Sequence, residues 1–191
     1  MNTLLVSTGV VALAEVGDKT QLLAFILAAR FRRPWPIIWG ILVATLANHA
    51  AAGALGAWIT DILSPHALRW ILGVAFLAMA VWMMVPDELA DEDLPRTGLG
   101  VFGTTVIAFF LAEMGDKTRV ATVALAARYD AVVAVVIGTT LGMMIANVPA
   151  VLLGERAAHK VPVRWVHGVA AGVLAVIGVA TFLGMGEGLG V

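Results

Sequence analysis

Two long apolar runs in this chain each carry a charged hexapeptide near their centre, the two copies differing at one position. These are Glu15-Val16-Gly17-Asp18-Lys19-Thr20 and Glu113-Met114-Gly115-Asp116-Lys117-Thr118. An ionised side chain at membrane depth costs on the order of 2.5–3.5 kcal/mol on insertion scales, so such residues are paired or functional. Any fold for the chain must therefore keep two sets of charges inside apolar segments and give them something to do.

The setting is a lipid bilayer. Hydrophobic residues make up 61% of the chain and charged residues 13%, with a mean hydropathy of +0.96, whereas about a quarter of an ordinary soluble domain is charged. At roughly 20 residues per helical crossing, the 191 residues suit six spans with short loops. The fold expected is an all-α integral membrane protein, with spans near 3–29, 36–60, 68–86, 99–127, 131–154 and 164–186. Residues 1–191 are expected to form a single membrane domain. The first apolar stretch has no basic leading region and contains Glu15 and Asp18, so it reads as a retained span rather than a signal peptide. There is no cysteine, which excludes disulfides and thiolate chemistry. A net charge of −1 gives no reason to expect a nucleic-acid partner.

The hexapeptide belongs to a longer repeat. Leu13-Ala14-Glu15 matches Leu111-Ala112-Glu113, Ala28-Ala29-Arg30-Phe31 matches Ala126-Ala127-Arg128-Tyr129, and Gly40 matches Gly138, all at one offset; Ala47-Asn48 and Ala146-Asn147 follow one residue out of that register. Repeat one covers about 1–86 and repeat two about 99–191, joined by an acidic linker at 87–98. Three spans in each half is an odd number, so the second half enters the membrane from the opposite side. That is an inverted-topology repeat, an architecture of secondary transporters whose sites lie near the midplane between the halves. A duplicated channel or passive bundle is the alternative.

Lysine and arginine set the orientation. Arg30, Arg32, Arg33, Arg96, Arg156, Lys160 and Arg164 fall in loops on one side, against Arg69 and Arg128 on the other. The richer side is cytoplasmic by the positive-inside rule, so both termini should lie outside the cytoplasm. Trp35, Trp58, Trp70 and Trp165 fall near span ends, as interfacial anchors do.

On a regular helix Glu15, Asp18 and Lys19 share one face within a turn, as do Glu113, Asp116 and Lys117. The candidate metal ligands are Glu15, Asp18, Glu113 and Asp116, with Lys19 and Lys117 as charge partners. Four carboxylates and two ammonium groups leave about two negative charges, matched to a divalent cation. A carboxylate, amide and hydroxyl donor set suits Mn2+, Ca2+ or Mg2+. Gly17 and Gly115 permit a local break whose carbonyls could join the carboxylates. Asn48 and Asn147 are candidate amide ligands or interhelical hydrogen-bonding groups, and Gln21, replaced by Arg119 in the second half, is a further candidate. Thr20 and Thr118 point away from the glutamates on a regular helix and can reach them only if it unwinds. His49 is either a proton group or an interhelical hydrogen-bonding residue. Met143 and Met144 read as packing, with a thioether ligand as the sharper alternative, and Gly138, Gly142 and Ala146 as a close-packing seam.

The paired Glu-x-Gly-Asp-Lys-Thr motifs, each on the first span of a three-span half, resemble a family of cation/proton exchangers. It is grouped within the lysine-exporter superfamily and includes bacterial manganese exporters and Golgi manganese and calcium transporters. The resemblance implies a divalent cation/proton antiporter that exports Mn2+ or Ca2+ from the cytoplasm, with metal ion, protons and the bilayer as partners and no tightly bound cofactor. It further implies the bacterial plasma (inner) membrane. An exporter of a basic amino acid or other small organic cation, and a non-transporting assembly factor, are the competing readings. No nucleophile and base set suggests an enzyme.

The charge asymmetry makes a direct prediction. A cysteine at position 91, in the acidic linker, should be labelled by a membrane-impermeant thiol reagent only after the cytoplasmic face is exposed. Labelling from outside intact cells would invert the topology.

Overall fold

The computed structural model describes residues 3–85, 98–129, 131–153 and 163–184. Its regular structure consists of α1 (Thr3–Glu15), α2 (Lys19–Phe31), α3 (Pro34–Ile62), α4 (Pro65–Trp82), α5 (Gly100–Glu113), α6 (Lys117–Tyr129), α7 (Val132–Leu153) and α8 (Val163–Phe182). By length and composition α3, α4, α7 and α8 can each cross a bilayer, and α1 and α5 are shorter apolar helices. The expected acidic linker lies outside the described residues.

Local chemistry sets the helix ends. α2 stops at Arg32, whose left-handed backbone (φ 51) returns its N–H to the Ala28 carbonyl, and Pro34 then opens α3 at a position where a missing N–H costs nothing. α4 starts with Pro65 behind Ser64, whose hydroxyl accepts from the Ala67 N–H at 3.3 Å. The spans expected at 3–29 and 99–127 are not single helices. Each divides at its hexapeptide, α1 from α2 and α5 from α6.

α3 and α7 form the centre. Half of the most apolar stretch of each is buried, against 22% for α4 and 28% for α8. The packing crosses between the two halves of the sequence, since α1 lies on α7, α5 lies on α3, and α3 and α7 meet each other. α2 and α6 likewise reach across, onto α7 and α3, while α4 and α8 pair at the periphery.

Small residues make this crossing possible, as expected of helices that associate without a hydrophobic driving force between them. A Cβ on Gly138 would stand 2.7 Å from the Leu4 carbonyl oxygen, and one on Gly142 would stand 2.7 Å from the Thr8 carbonyl and 2.8 Å from the Ala12 nitrogen. The backbone of α1 therefore rests directly on α7 along the expected seam. The matched contact has the same form: Gly40 of α3 sits beneath Thr105 of α5, as Gly138 sits beneath Ser7 of α1. Trp35, Trp58, Trp70 and Trp165 are all exposed, consistent with outward-facing anchors.

The neighbours of Gly142 are rigid backbone atoms, so a larger side chain has no room to be accommodated. Gly142→Val should lower stability by about 1–3 kcal/mol, read as a reduced unfolding temperature of the detergent-purified protein, whereas Gly9→Ala, which meets nothing within 4 Å, should be neutral.

Candidate functional site

The helix breaks have a definite geometry. Glu113, Met114, Gly115 and Asp116 form a turn closed by the Asp116 N–H on the Glu113 carbonyl at 3.1 Å, with Met114 at φ −66, ψ 112 and Gly115 at φ 85. These are the torsions of a type II β-turn, whose third position needs a positive φ that glycine alone adopts freely. Glu15, Val16, Gly17 and Asp18 repeat it, with the Asp18 N–H on the Glu15 carbonyl at 3.1 Å and Gly17 at φ 82. The signature Glu-x-Gly-Asp is thus a turn that ends one helix on its glutamate and starts the next just after its aspartate. The helical face that the spacing suggested does not exist, because the helix stops inside it.

The break also redirects the side chains. Thr20, pointing away on a regular helix, now donates its hydroxyl to Glu15 Oε2. Thr118 donates to Asp116 Oδ2 at 2.7 Å and lies near Glu15 of the other half. Helix N-termini follow both aspartates, placing partial positive charge beside them.

Three carboxylates meet. Glu15, Asp18 and Asp116 each offer an oxygen within 4.8 Å of the others. Their relative exposures are 0%, 2% and 2%, so water cannot screen them as it would at a surface. Lys19 reaches over from its own motif to Asp116 Oδ1 at 3.6 Å. The sequence suggested Lys19 as a charge partner on the face of its own motif, and its ion pair with Asp116 runs between the halves instead. Lys117 is buried and donates to the Val85 carbonyl at 3.0 Å.

Glu113 is buried too, but stands outside the three-carboxylate group. Thr45 of α3 donates to its Oε1 at 2.7 Å, and Asn48 lies beside it. Asn48 Nδ2 donates to the Phe110 carbonyl at 3.2 Å, and Asn147 Nδ2 to Met143, at 3.1 Å to its carbonyl and 3.0 Å to its sulfur. Both amide nitrogens are thereby tied to backbone, and both Oδ1 atoms have no hydrogen-bond partner among the described residues. The same is true of Glu15 Oε1 and Glu113 Oε2. Buried oxygens without donors carry a desolvation cost that a cation or a proton removes.

Gln21 acts as a clamp. Its Oε1 accepts from the Gly17 N–H at 2.9 Å and its Nε2 donates to the Ala146 carbonyl at 3.0 Å, which fastens the first turn to α7 beside Asn147. Arg119, at the matched place, shares a neighbourhood with Glu113 and His49. His49 is buried with neither ring nitrogen hydrogen-bonded among the described residues. Met143 is packed in the interior and its sulfur helps hold Asn147.

Two contributors went unrecognised in the sequence. Thr45 precedes Asn48 by three positions and so shares its helical face, a spacing that would have marked it. His167 of α8 places Nε2 2.7 Å from the Val16 carbonyl, inside the first turn. Nothing in the local sequence of α8 points to that contact.

A family model described as "Divalent cation/proton antiporter GDT1" matches residues 3–91 and 101–188. A protein of Vibrio cholerae named "Putative manganese exporter" is 51% identical over 182 residues, spanning 95% of this chain and 90% of its own length. A GDT1-like protein of Synechocystis is 30% identical, covering 79% of this chain and 82% of the relative, and a GDT1-like protein of Oryza sativa subsp. indica is 28% identical, covering 96% and 71%. No solved structure gives a significant match.

The turn geometry is open to test. Gly17→Ala and Gly115→Ala should each cost about 1–2 kcal/mol through the left-handed φ, read as a lowered unfolding temperature of the purified protein while helical circular dichroism is kept. An unchanged unfolding temperature in both would contradict the turn geometry.

Proposed function

The chain belongs to the GDT1 family of divalent cation/proton antiporters, and from that premise we propose that it exports Mn2+ across the bacterial plasma membrane in exchange for protons. The observation that carries the reading is the buried group of Glu15, Asp18 and Asp116, drawn from both turns. Three carboxylates with Lys19 beside them leave two negative charges when all are ionised. The charge matches one divalent cation, and the all-oxygen donors match a hard one. The manganese named for the Vibrio relative favours Mn2+ over Ca2+ as cargo.

The repeat supplies the mechanism. Helices α1–α4 and α5–α8 make two halves of inverted topology, both termini lying outside the cytoplasm; the crossed packing of α1 on α7 and α5 on α3 supports this pairing. The two halves hold their glutamates differently, with Glu15 in the carboxylate group and Glu113 drawn aside by Thr45. Alternating access exchanges these roles: in the opposite state Glu113 joins Asp116 and Asp18, and Glu15 withdraws. Cation and protons compete for the same oxygens, because carboxylates this close cannot all remain charged without one or the other. Asn48 and Asn147 add their free amide oxygens. Lys19 limits the charge so that a monovalent cation does not suffice to balance the empty site.

Reconstituted liposomes with an internal pH indicator test this reading. Mn2+ should drive proton movement more effectively than Ca2+ or Mg2+, and lysine should drive none. Glu15→Gln and Glu113→Gln should each reduce Mn2+-driven proton flux by more than the roughly 10–100-fold that losing an outer-shell partner costs at a metal site, and Asn48→Ala should fall within that range. Near-normal flux in Glu113→Gln would contradict the exchange of roles between the two motifs.

A further inference from the structure

A cavity of about 210 Å³ lies away from the carboxylates, where the first turns of α4 meet the ends of α6 and α8. Its polar lining is Arg69, Arg128 and the Thr181 hydroxyl, and its apolar wall includes Leu68 and Leu72. We propose that this cavity binds a phosphate group, as a lipid headgroup or as the free anion.

Among the described residues the charge is one-signed: Arg69 and Arg128 line the space, and no described acidic side chain does. Arg128 is held for the purpose, with its Nε on Thr181 Oγ1 at 3.0 Å and its guanidinium over the Tyr129 ring at 5.6 Å. Arg69 is half-buried, its Nε is enclosed, and that atom has no hydrogen-bond acceptor among the described residues. A buried guanidinium N–H without an acceptor is costly, and the guanidinium fork suits the planar pairs of oxygens that phosphate presents. Pro65 at the start of α4 also lines the cavity, which puts the positive end of that helix dipole at the site.

The location suits a headgroup. Trp70, one residue from Arg69, is exposed, packs edge-on against Phe182 at 5.2 Å, and donates its indole N–H to His66 at 3.3 Å. Tryptophan with an apolar face and a hydrogen-bonded nitrogen marks the membrane interface, the depth at which lipid phosphates lie. Leu68 and Leu72 give the cavity an apolar wall beside its two arginines. At the position of the repeat matched to Arg128, Arg30 is exposed.

The test uses the full chain in neutral detergent, challenged separately with phosphatidylglycerol, phosphatidylcholine and inorganic phosphate. Native mass spectrometry counts bound lipid, and thermal unfolding reads stabilisation by either ligand. Retention of phosphatidylglycerol over phosphatidylcholine, weakened roughly tenfold or more by Arg69→Gln and lost in Leu68→Trp, which fills the cavity while keeping both charges, establishes a lipid phosphate site. Stabilisation by inorganic phosphate alone, with the same dependence on Arg69 and Leu68, establishes the site with the free anion as ligand. Arg69→Lys, which keeps the charge and loses the fork, should fall between wild type and Arg69→Gln. Equal binding of the two lipids with no response to phosphate, or phosphatidylglycerol binding unaltered in both Arg69→Gln and Leu68→Trp, overturns the proposal.

Discussion

Mutual repulsion among Glu15, Asp18 and Asp116 is the constraint to which the rest of the molecule answers. At separations below 4.8 Å, two like charges in a protein environment repel by on the order of 4 kcal/mol even at an effective dielectric constant of 20. Burial removes the solvent that would otherwise relieve it. Threonine hydroxyls, two helix N-termini and Lys19 offset part of the cost. What they leave is a standing demand for positive charge. A binding site for a cation that must also be released needs such a demand, balanced so that protons satisfy it when the metal departs.

Backbone geometry creates the crowding. Each Glu-x-Gly-Asp segment leaves the helix through a type II turn, so the carboxylates and the loosened carbonyls collect at a break instead of along a helical face. The two breaks come together because α1 lies against α7 and α5 against α3, and glycine at the contact lets backbones approach within van der Waals distance. A side chain at Gly142 would separate α1 from α7 at Thr8 and Ala12 and so move Glu15, about one to two turns further along α1. The Gln21 clamp extends the same logic, since it fixes the first turn to the helix that carries Asn147. Packing, break and charge are one device.

Much of this was legible in the residues. The duplicated hexapeptide announced both the repeat and the location of the charge, and the long α3, α4, α7 and α8 lie where apolar runs of suitable length placed them. The possibility of a break was visible in Gly17 and Gly115, and with it the conditional role of Thr20 and Thr118. The turn itself was not, because helical periodicity continues through the hexapeptide and spacing alone cannot distinguish a helix from a turn that preserves the neighbourhood of residues three apart. Contacts between the halves were also hidden. That Lys19 pairs with Asp116 and not Glu15, that Glu113 is drawn to Thr45, and that His167 meets the Val16 carbonyl all depend on how distant helices dock. The unequal treatment of two nearly identical motifs arises from the same source, and the exchange of Gln21 for Arg119 is one of its marks in the sequence.

The central claim is that one divalent cation is held by oxygens from both turns at once. X-ray diffraction from crystals grown with Mn2+, recorded on either side of the manganese absorption edge, addresses it directly. The account predicts one anomalous peak in the protein interior, at the roughly 2.1–2.5 Å of hard-cation coordination from carboxylate oxygens of Glu15, Asp18 and Asp116, and its disappearance in Asp116→Asn. A peak bound to one motif alone, or one that persists unchanged in Asp116→Asn, would contradict it.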